Sequence, residues 1–477
     1  MTDGIPPIAS VPVPSLRPER FAEVLPEDSY QAFMDAVAKG AKVFDGRIIW
    51  NVNSTARGGG VAEMLRSLIA YARGAGVDAR WAVIGGSAPF FDVTKRIHNH
   101  LHGYRGDGGS LGDEEAETYR DASARNAESL GQMVHPGDVV ILHDPQTAGL
   151  CGPMREAGAV VLWRCHVGLD SPNDLARQAW EFLRPHVLPA QVYVFSRDAY
   201  VWEGLDRDRA VTIPPSIDAF SPKNEELPEE QVRAILVTTG VFTGESKGPA
   251  SFIQIDGSVG TVRREADLSS GAPAAPYDTP TVVQVSRWDR LKDPVGVIEG
   301  FAEHVAPATD AHLILAGPSV EAVADDPEGA AVLSECGEVW SKLPEAIAGR
   351  VHLACLPMDD GEENAAIVNA LQRRADVVVQ KSLAEGFGLT VAEAMWKARP
   401  VVASRIGGIQ DQVTDGSTSI LIEPTDLKGY GEAVSRLLQH PDEARDMGQK
   451  AQRRVRDVFL APRHLMQYLE TIQPLLD

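Results

Sequence analysis

The chain has 477 residues, of which 67 are acidic and 45 are basic, giving a net charge of −22. A chain of this length exceeds the size at which a single core stops growing, so two or three domains are expected. The acidic balance disfavours nucleic acid and anionic membrane surfaces as partners. A phosphate-bearing ligand would have to be held by a few local cations and helix ends.

The first 28 residues contain six prolines and are predicted to form an N-terminal arm. After this arm, short apolar runs alternate with helical patterns, which is typical of α/β folds with parallel sheets flanked by helices. The predicted strands cover residues 47–51, 79–84, 138–142, 159–164, 192–195, 281–286, 312–316, 351–354, 377–380 and 400–403.

These strands fall into two groups, which predict an N-terminal domain over residues 29–220 and a C-terminal domain over 221–458. Between the groups lie Pro214 and Pro215, which forbid a helix and suit a rigid connection. Residues 239–277 are rich in Gly, Ser, Ala and Pro and are predicted to be a surface insertion. A final helix within 459–477 is expected to return to the N-terminal domain.

The chain shows no Cys-x-x-Cys spacing, no charged-then-apolar leader and no apolar run of about 18 residues. Its four cysteines are therefore expected to be buried thiols in a reducing compartment. We expect a cytoplasmic protein without a membrane-spanning segment.

A strand, three glycines and a helix follow one another at residues 48–65. Such a corner lets a ligand approach the backbone and meet the positive end of the helix. The segment lacks Gly-x-Gly-x-x-Gly and Gly-Lys-Ser/Thr, which argues against dinucleotide and P-loop sites. Gly59 and Gly60 are candidate ligand contacts, and a turn that serves chain geometry alone is the alternative.

Polar side chains also follow two strands of the first group. Asp144 and Gln146 come directly after one strand, and His166 follows the next. The carboxyl ends of parallel strands are where open α/β sheets place their ligands. These three residues are candidates for a site, although a lone histidine is more often a satisfied structural residue.

The alternation of His98, His100 and His102 would place the three side chains on one face of a strand. Three imidazoles can bind a metal, but no cysteine or paired carboxylate lies nearby in the sequence. A loop contact at a ligand cleft is the preferred interpretation, and no metal site is predicted.

The second group of strands supplies cations. Arg287 and Lys292 come just after the strand at 281–286, and Gly317 lies at another strand-to-turn corner. Arginine can bind a phosphate in bidentate fashion, while lysine acts as a point charge. Exposed basic residues on an ordinary turn are the alternative.

Two carboxylates, Glu385 and Glu393, stand eight residues apart across a glycine-containing turn. An apolar run precedes them, and residues 389–397 all tolerate a helix. The free amides of Gly388, Leu389 and Thr390 would open this helix and offer a site for phosphate or sugar oxygens. Retaining glycosidases hold their two carboxyls about 5 Å apart, whereas eight helical residues span about 12 Å, so a hydrolase is disfavoured.

Together these motifs resemble those of retaining glycosyltransferases of family 4. The resemblance rests on Glu-x7-Glu at 385–393, Arg-x4-Lys at 287–292 and Asn-Ser-Thr-x-x-Gly-Gly-Gly at 53–60, the last similar to trehalose-forming members, the trehalose synthase and trehalose phosphorylase branch. It covers about residues 28 to 470. Ser419 departs from it, because the broader family usually has glycine there, and the 239–277 insertion is similar to that of the phosphorylases.

The resemblance implies the GT-B fold, in which two Rossmann-like, doubly wound domains face a central cleft. It also implies a role for each candidate. Glu385 would hold the hydroxyls of the donor sugar, Glu393 the nucleotide ribose, and His166 the donor near its C6 hydroxyl. Arg287 and Lys292 would grip the diphosphate. Further donor contacts are assigned to Gly386, Phe387, Gly388, Leu389, Gly317, Gly59 and Gly60, and acceptor contacts to Asn53, Asp144 and Gln146.

The implied activity is retaining transfer of α-glucose between a nucleoside diphosphate and glucose, forming or cleaving trehalose. A nucleoside diphosphate glucose and a small sugar acceptor are the expected substrates, without a metal cofactor and without nucleic acid or membrane partners. A homodimer is compatible with the sequence. Three alternatives stay open: a trehalose phosphorylase that uses glucose 1-phosphate and phosphate, a transferase with another small acceptor, and a non-catalytic sugar-binding protein. Glu393 favours a nucleotide, because without a ribose its carboxylate would have no partner.

Overall fold

A computed structural model of the chain describes residues 8–56, 59–320 and 327–476. Gly58 of the predicted glycine turn and the first seven residues of the predicted arm lie outside this part of the chain. Two compact units are present. The N-terminal domain comprises the residues up to Ser216 together with those from Phe459 onward, and the C-terminal domain comprises Ile217–Val458.

Seven strands of the N-terminal domain form one sheet in the order β1-β3-β2-β4-β5-β6-β7. They are β1 (Ala9–Val11), β2 (Ile48–Asn53), β3 (Asp78–Val83), β4 (Val139–His143), β5 (Val160–Cys165), β6 (Val192–Phe195) and β7 (Ala210–Thr212). Only β1 among these pairs antiparallel; the other pairs are parallel. The direction of winding changes between β2 and β4, at the kind of switch point where open α/β sheets bind ligands.

Helices cover both faces of this sheet. They are α1 (Glu27–Val43), α2 (Gly60–Gly74), α3 (Ala88–Leu101), α4 (Asp113–Gly131), α5 (Cys151–Glu156) and α6 (Asp174–Val187). Alternate residues of β2 point to opposite faces, so Trp50 belongs to one hydrophobic cluster and Ile49 to another. Burial on both faces explains why the parallel strands read as continuous apolar runs in the sequence.

The C-terminal domain contains a second seven-stranded sheet and four further short strands. The strands are β8 (Phe242–Thr243), β9 (Ser251–Ile253), β10 (Val259–Thr261), β11 (Asp267–Leu268), β12 (Ala275–Pro276), β13 (Thr281–Val285), β14 (His312–Pro318), β15 (Val351–Leu356), β16 (Val377–Gln380), β17 (Val401–Ser404) and β18 (Ile420–Ile422). The main sheet runs β11-β15-β14-β13-β16-β17-β18, and only its edge strand β11 pairs antiparallel. The six parallel strands have the order of a Rossmann sheet, with its switch point between β13 and β16.

The helices of this domain alternate with its strands. They are α7 (Glu229–Thr238), α8 (Pro294–Gly300), α9 (Pro327–Ser341), α10 (Glu345–Ala348), α11 (Gly361–Arg374), α12 (Leu389–Trp396), α13 (Ile409–Gln412), α14 (Leu427–Gln439) and α15 (Pro441–Val458). A π-helical turn, Phe301–Val305, continues α8. The last helix, α16 (Ala461–Ile472), belongs to the N-terminal domain, where Leu469 and Ile472 pack in the same hydrophobic cluster as Ile49.

The predicted surface insertion at 239–277 is in part core. Phe242, Phe252 and Tyr277 are buried within it. Strands β9 and β10 form an antiparallel pair, β8 pairs with β12, and β11 extends the main sheet beside β15. Because the apolar residues of this segment are spaced singly among Gly, Ser and Pro, its composition conceals the short strands.

All four cysteines are free and buried, as predicted. Burial raises the pKa of the Cys355 thiol to about 11 and that of Cys336 to about 12. Among the described helices, none is both long and apolar enough to cross a membrane.

Candidate active site

A tight corner connects β16 to α12 and carries Glu385. Gly388 caps the helix with φ +80°, a conformation that L residues rarely adopt. A Cβ at this position would lie 3.0 Å from Ile409 and 3.2 Å from the Cγ of Glu385. Glycine therefore allows the chain to turn closely beneath Glu385 before the helix begins.

The neighbouring helix α13 fixes this corner from outside. The amide of Gly408 donates to the carbonyl of Gly386 at 3.0 Å. The fully buried side-chain amide of Gln412 donates to the carbonyl of Phe387 and, at 3.2 Å, to that of Gly388. The predicted sugar-binding segment is thus held by backbone and side-chain hydrogen bonds within its own domain.

Lys292 forms an ion pair with Glu385. The distance from Nζ to Oε2 is 2.6 Å, and the two side chains are 16% and 13% exposed. These residues follow β13 and β16, the two adjacent strands at the switch point of the C-terminal sheet. The structure therefore brings together two predicted site residues that are 93 positions apart in the chain.

A buried glutamine, Gln284, holds the two strand ends in register. Its Nε2 donates to the carbonyl of Lys292 at 3.0 Å, and its Oε1 accepts from the amide of Lys381 at 3.1 Å. A further hydrogen bond of 2.7 Å joins the amide of Leu383 to the carbonyl of Leu291. The sequence prediction missed Gln284, although a polar amide inside an apolar parallel strand is a recognisable signal.

Asp293 and Lys381 make a second ion pair beside the first. Asp293 adopts a left-handed conformation, φ +49°, and its carboxylate caps α8 by accepting from the amide of Gly296 at 3.1 Å. The side chain of Lys381 is 1% exposed, so its charge is compensated inside the domain. This pair anchors the turn that follows Lys292.

Arg287, the other predicted phosphate ligand, has a side chain that is 65% exposed and pairs with Asp289 at 3.0 Å. Gly317 lies inside β14 and accommodates Trp288, because a Cβ there would approach the Trp288 ring to 2.6 Å. The Trp288 Nε1 donates to the carbonyl of Pro318 at 2.9 Å. Gly317 therefore has a packing reason that is independent of any nucleotide.

Glu393 lies on α12 and is only 2% exposed. Its Oε1 is 3.6 Å from the Nζ of Lys223, a cation that the sequence prediction did not identify. The segment that carries Lys223 is fastened to the domain, since Asn224 accepts from Trp396 and Lys397. A charged partner thus stands beside the predicted ribose ligand.

In the N-terminal domain, Asp144 follows β4 with φ +64°. Its amide donates to the carbonyl of Arg164 at 2.7 Å, and its Oδ1 accepts from the amide of His166 at 2.8 Å. Burial, only partly offset by the His166 hydrogen bond and by Arg164, raises the pKa of Asp144 to about 6. Two predicted site residues from successive strands therefore lie together at the carboxyl end of this sheet.

The ring of His166 contacts the ring of His143. The distance from His143 Nδ1 to His166 Nε2 is 3.1 Å, and the two rings are nearly parallel. The opposite nitrogen of His143 lies 3.1 Å from the Oδ1 of Asn51. Burial and the nearby Arg164 lower the pKa values of both histidines, so both rings are neutral near pH 7.

The remaining candidates of this domain differ in their surroundings. Asn53 is buried, donating to the carbonyl of Thr55 at 2.7 Å and accepting from the indole of Trp81 at 2.8 Å. Gln146 is half-buried in the 3-10 segment Pro145–Leu150. Gly59 and Gly60 are exposed at the N-terminus of α2, where Gly59 has φ +79°.

The strand geometry considered for His98, His100 and His102, and the preferred loop interpretation, are both wrong. The first two lie in the last turn of α3, and His102 is its C-cap. The rings of His98 and His102 make an edge-to-face contact one turn apart, while His100 is buried, which lowers its pKa. Apolar residues at helical spacing, Phe90, Val93 and Ile97, outweigh the alternating histidines. In the described ranges, no cluster of three or more His, Cys, Asp or Glu side chains could hold a metal.

Each of the two domains matches a different family of known proteins. Residues 51–202 match the family model described as "Trehalose synthase, N-terminal domain", and residues 267–454 match "Glycosyl transferases group 1". A trehalose synthase from Pyrococcus horikoshii is 37% identical over 440 residues, which cover 91% of this chain and 92% of the relative. A trehalose phosphorylase from Grifola frondosa is 27% identical over 425 residues, 85% of this chain and 54% of the relative.

The solved structure of an α,α-trehalose 6-phosphate synthase from Burkholderia multivorans aligns with a TM-score of 0.65 at 16% identity, covering 90% of this chain and 98% of that one. At this low identity, the likeness shows that the two proteins share a fold. Two doubly wound, mostly parallel sheets give the chain the GT-B fold. The match of residues 267–454 to "Glycosyl transferases group 1" and the likeness to trehalose synthases make it a glycosyltransferase of that fold. Within that class, the chain belongs to the trehalose synthase family.

Proposed function

We propose that the protein is a retaining glucosyltransferase that transfers α-glucose between a nucleoside diphosphate and glucose, forming or cleaving trehalose. The observation that carries this proposal is the Lys292–Glu385 pair at the switch point of the C-terminal sheet. Its support comes from the relatives named trehalose synthase and from the rigid hydrogen bonding of the corner around Glu385.

The chemistry requires a cation where the bond to phosphate breaks. As the bond between the glucose C1 and the phosphate oxygen breaks, negative charge grows on the leaving phosphate, and a fixed positive charge stabilises that state most. Lys292 supplies this charge, and its ion pair with Glu385 holds the ammonium in place before substrate arrives. The N-terminus of α12 adds backbone amides oriented toward an anion.

The acceptor hydroxyl attacks C1 on the face that the phosphate leaves, and its proton passes to the departing phosphate oxygen. A new bond from C1 to the acceptor oxygen replaces the broken one, which retains the α configuration. Glu385 binds the hydroxyls of the glucose being transferred, and His166 its C6 hydroxyl. Asp144 orients the sugars with its carboxyl group, which is held in place by the hydrogen bond that it accepts from the His166 amide. The side chains provide the positive charge, so no metal cofactor is required.

A trehalose phosphorylase is the second candidate, and the contact between Lys223 and Glu393 supports it. The sequence alone predicts that the Glu393 carboxylate needs a ribose as its partner, but Lys223 lies 3.6 Å away and provides a partner within the domain. Glu393 is therefore compatible with inorganic phosphate as the glucosyl acceptor in trehalose cleavage. The Grifola frondosa relative carries the name of that activity.

One experiment separates the two. Purified protein is incubated with trehalose and, in parallel, with each common nucleoside diphosphate or with inorganic phosphate, and the activated glucose product is identified. Nucleoside diphosphate glucose supports the proposal, whereas glucose 1-phosphate formed with phosphate alone replaces it by the phosphorylase. A Lys292→Ala variant should lose the activity, while Lys428→Ala, which removes an exposed lysine on α14, should keep it.

A further inference from the structure

We infer that His143 and Asn51 are positioning residues that fix the tautomer of His166, leaving its Nδ1 as a hydrogen-bond acceptor for a donor-sugar hydroxyl. This inference deepens the proposed function and rests on it for the identity of the ligand. The tautomer itself is inferred from hydrogen-bond geometry, which does not depend on the identity of the ligand.

The three side chains form one chain of hydrogen bonds across adjacent strands. Asn51 is on β2 and His143 ends β4, the two strands at the switch point of the N-terminal sheet, and His166 follows β5. All three are at least nine-tenths buried. Buried polar groups need partners, so each contact in this chain constrains the next one.

The order of donors and acceptors follows from Asn51. Its Oδ1 can only accept, so the His143 nitrogen 3.1 Å away, Nε2, carries the proton. A neutral imidazole has one N–H, and hence His143 Nδ1 is an acceptor. The nitrogen that lies 3.1 Å from it, His166 Nε2, must then donate.

His166 is therefore in the Nε2–H form, and its Nδ1 carries a lone pair. The pKa of each ring is lowered by burial and by Arg164, so a second proton is not taken up near pH 7. A sugar hydroxyl that meets Nδ1 must donate. The relay thus selects a ligand with a hydroxyl at that point over one with an acceptor alone.

A rotated Asn51 amide would reverse every step and give both rings the Nδ1–H form. Nuclear magnetic resonance of ligand-free protein with ¹⁵N-labelled histidine distinguishes the two arrangements. We expect His143 and His166 both to show a protonated Nε2 and an unprotonated Nδ1. A protonated Nδ1 on either ring would overturn the inference whatever the enzyme's substrate is.

Two substitutions test the consequence for function. In His143→Asn, the Asn Oδ1 occupies the place of His Nδ1 and can still accept from His166, whereas His143→Leu fills similar space without an acceptor. Each variant is assayed with a glucosyl donor and with the same donor lacking the C6 hydroxyl. We expect His143→Leu to reduce the wild-type preference for the hydroxylated donor by about threefold to tenfold, the range for one neutral hydrogen bond.

The preference should be largely retained in His143→Asn. An equal loss with both donors in His143→Leu would show a merely structural role and refute the relay, as would identical behaviour of the two variants. If His143→Leu does not fold, the wild-type tautomer measurement still decides. Failure of the proposed function looks different, because no glucosyl donor would then be turned over while the tautomers remain as stated.

Discussion

Gln284 offers a sharp test of how the C-terminal site is held together. Substitution by leucine keeps the size of the side chain but removes both hydrogen bonds, leaving the amide of Lys381 and the carbonyl of Lys292 without this partner. A buried polar group that loses its partner costs about 1–3 kcal/mol. The contact at Lys381 is fully buried and that at Lys292 partly so, which gives a loss of about 2–4 kcal/mol in the free energy of unfolding.

Turnover should fall as well, since Lys292 would no longer be fixed opposite Glu385. Small displacements of a positioned group cost up to about 10²-fold in rate, and we expect a loss between tenfold and that limit. Urea unfolding and steady-state kinetics at neutral pH measure the two effects. Gln439→Leu is the matched control, because this exposed glutamine makes a single hydrogen bond, to the carbonyl of Ala308. The control should change stability by less than about 0.5 kcal/mol.

The role assigned to Gln284 is refuted if Gln284→Leu is destabilised by no more than the control. It is refuted in part if stability falls while turnover is unchanged, because Gln284 would then support the fold without positioning Lys292.

Four further outcomes are expected. Lys292→Ala should lower turnover by about 10² or more in a folded protein, the scale of losing one charge-stabilising group, and near-normal turnover would contradict its role. Glu393→Ala should weaken binding of a nucleoside diphosphate by at least tenfold in titration calorimetry but leave pyrophosphate binding nearly unchanged; equal weakening would exclude a ribose contact. Activity should survive EDTA, and complete loss that Mg²⁺ restores would overturn metal independence. The carboxyl of Asp144 has a raised pKa of about 6, so between about pH 4 and pH 6 the native state holds a proton that the unfolded state has lost. The Asp144 carboxyl therefore stabilises the folded state at low pH, and this stabilisation is lost as pH rises through about 6. The difference in unfolding free energy between Asp144→Asn and wild type should increase by up to about 3 kcal/mol from about pH 4 to about pH 6. A difference that does not change with pH would contradict the raised pKa.

The sequence predicted the main strands well for a physical reason. All ten predicted strands are present, with ends within two residues of those observed. They are the parallel strands buried on both faces, which appear as apolar runs. The strands that were missed include β1 and β7, three-residue edge strands whose residues are mostly exposed or half-buried and leave no such run.

The helix at 389–397 was also predictable, because a glycine-bounded corner leaves a local signal. The residues that support the site from other segments were not predictable. Lys223 meets Glu393, and Gln284 meets Lys381, only because distant segments become neighbours. Periodicity shows that strands exist but not which strands are adjacent, so contacts that depend on strand order are absent from a reading of local patterns.

Strand order also explains why the hydrogen-bonded chain of Asn51, His143 and His166 could not be predicted from the sequence. Asn51, His143 and Arg164 each lie on a strand with alternating faces, and register pairs β2 with β4 and β4 with β5. Given that order, a period of two places the three side chains on the same face of the sheet, the one covered by α16. His166 lies two residues beyond Arg164, and with Asn51 and His143 it forms one buried hydrogen-bonded network rather than three isolated polar exceptions. Since a buried network must satisfy its own donors and acceptors, the identity of the residue at 51 determines the proton position at 166.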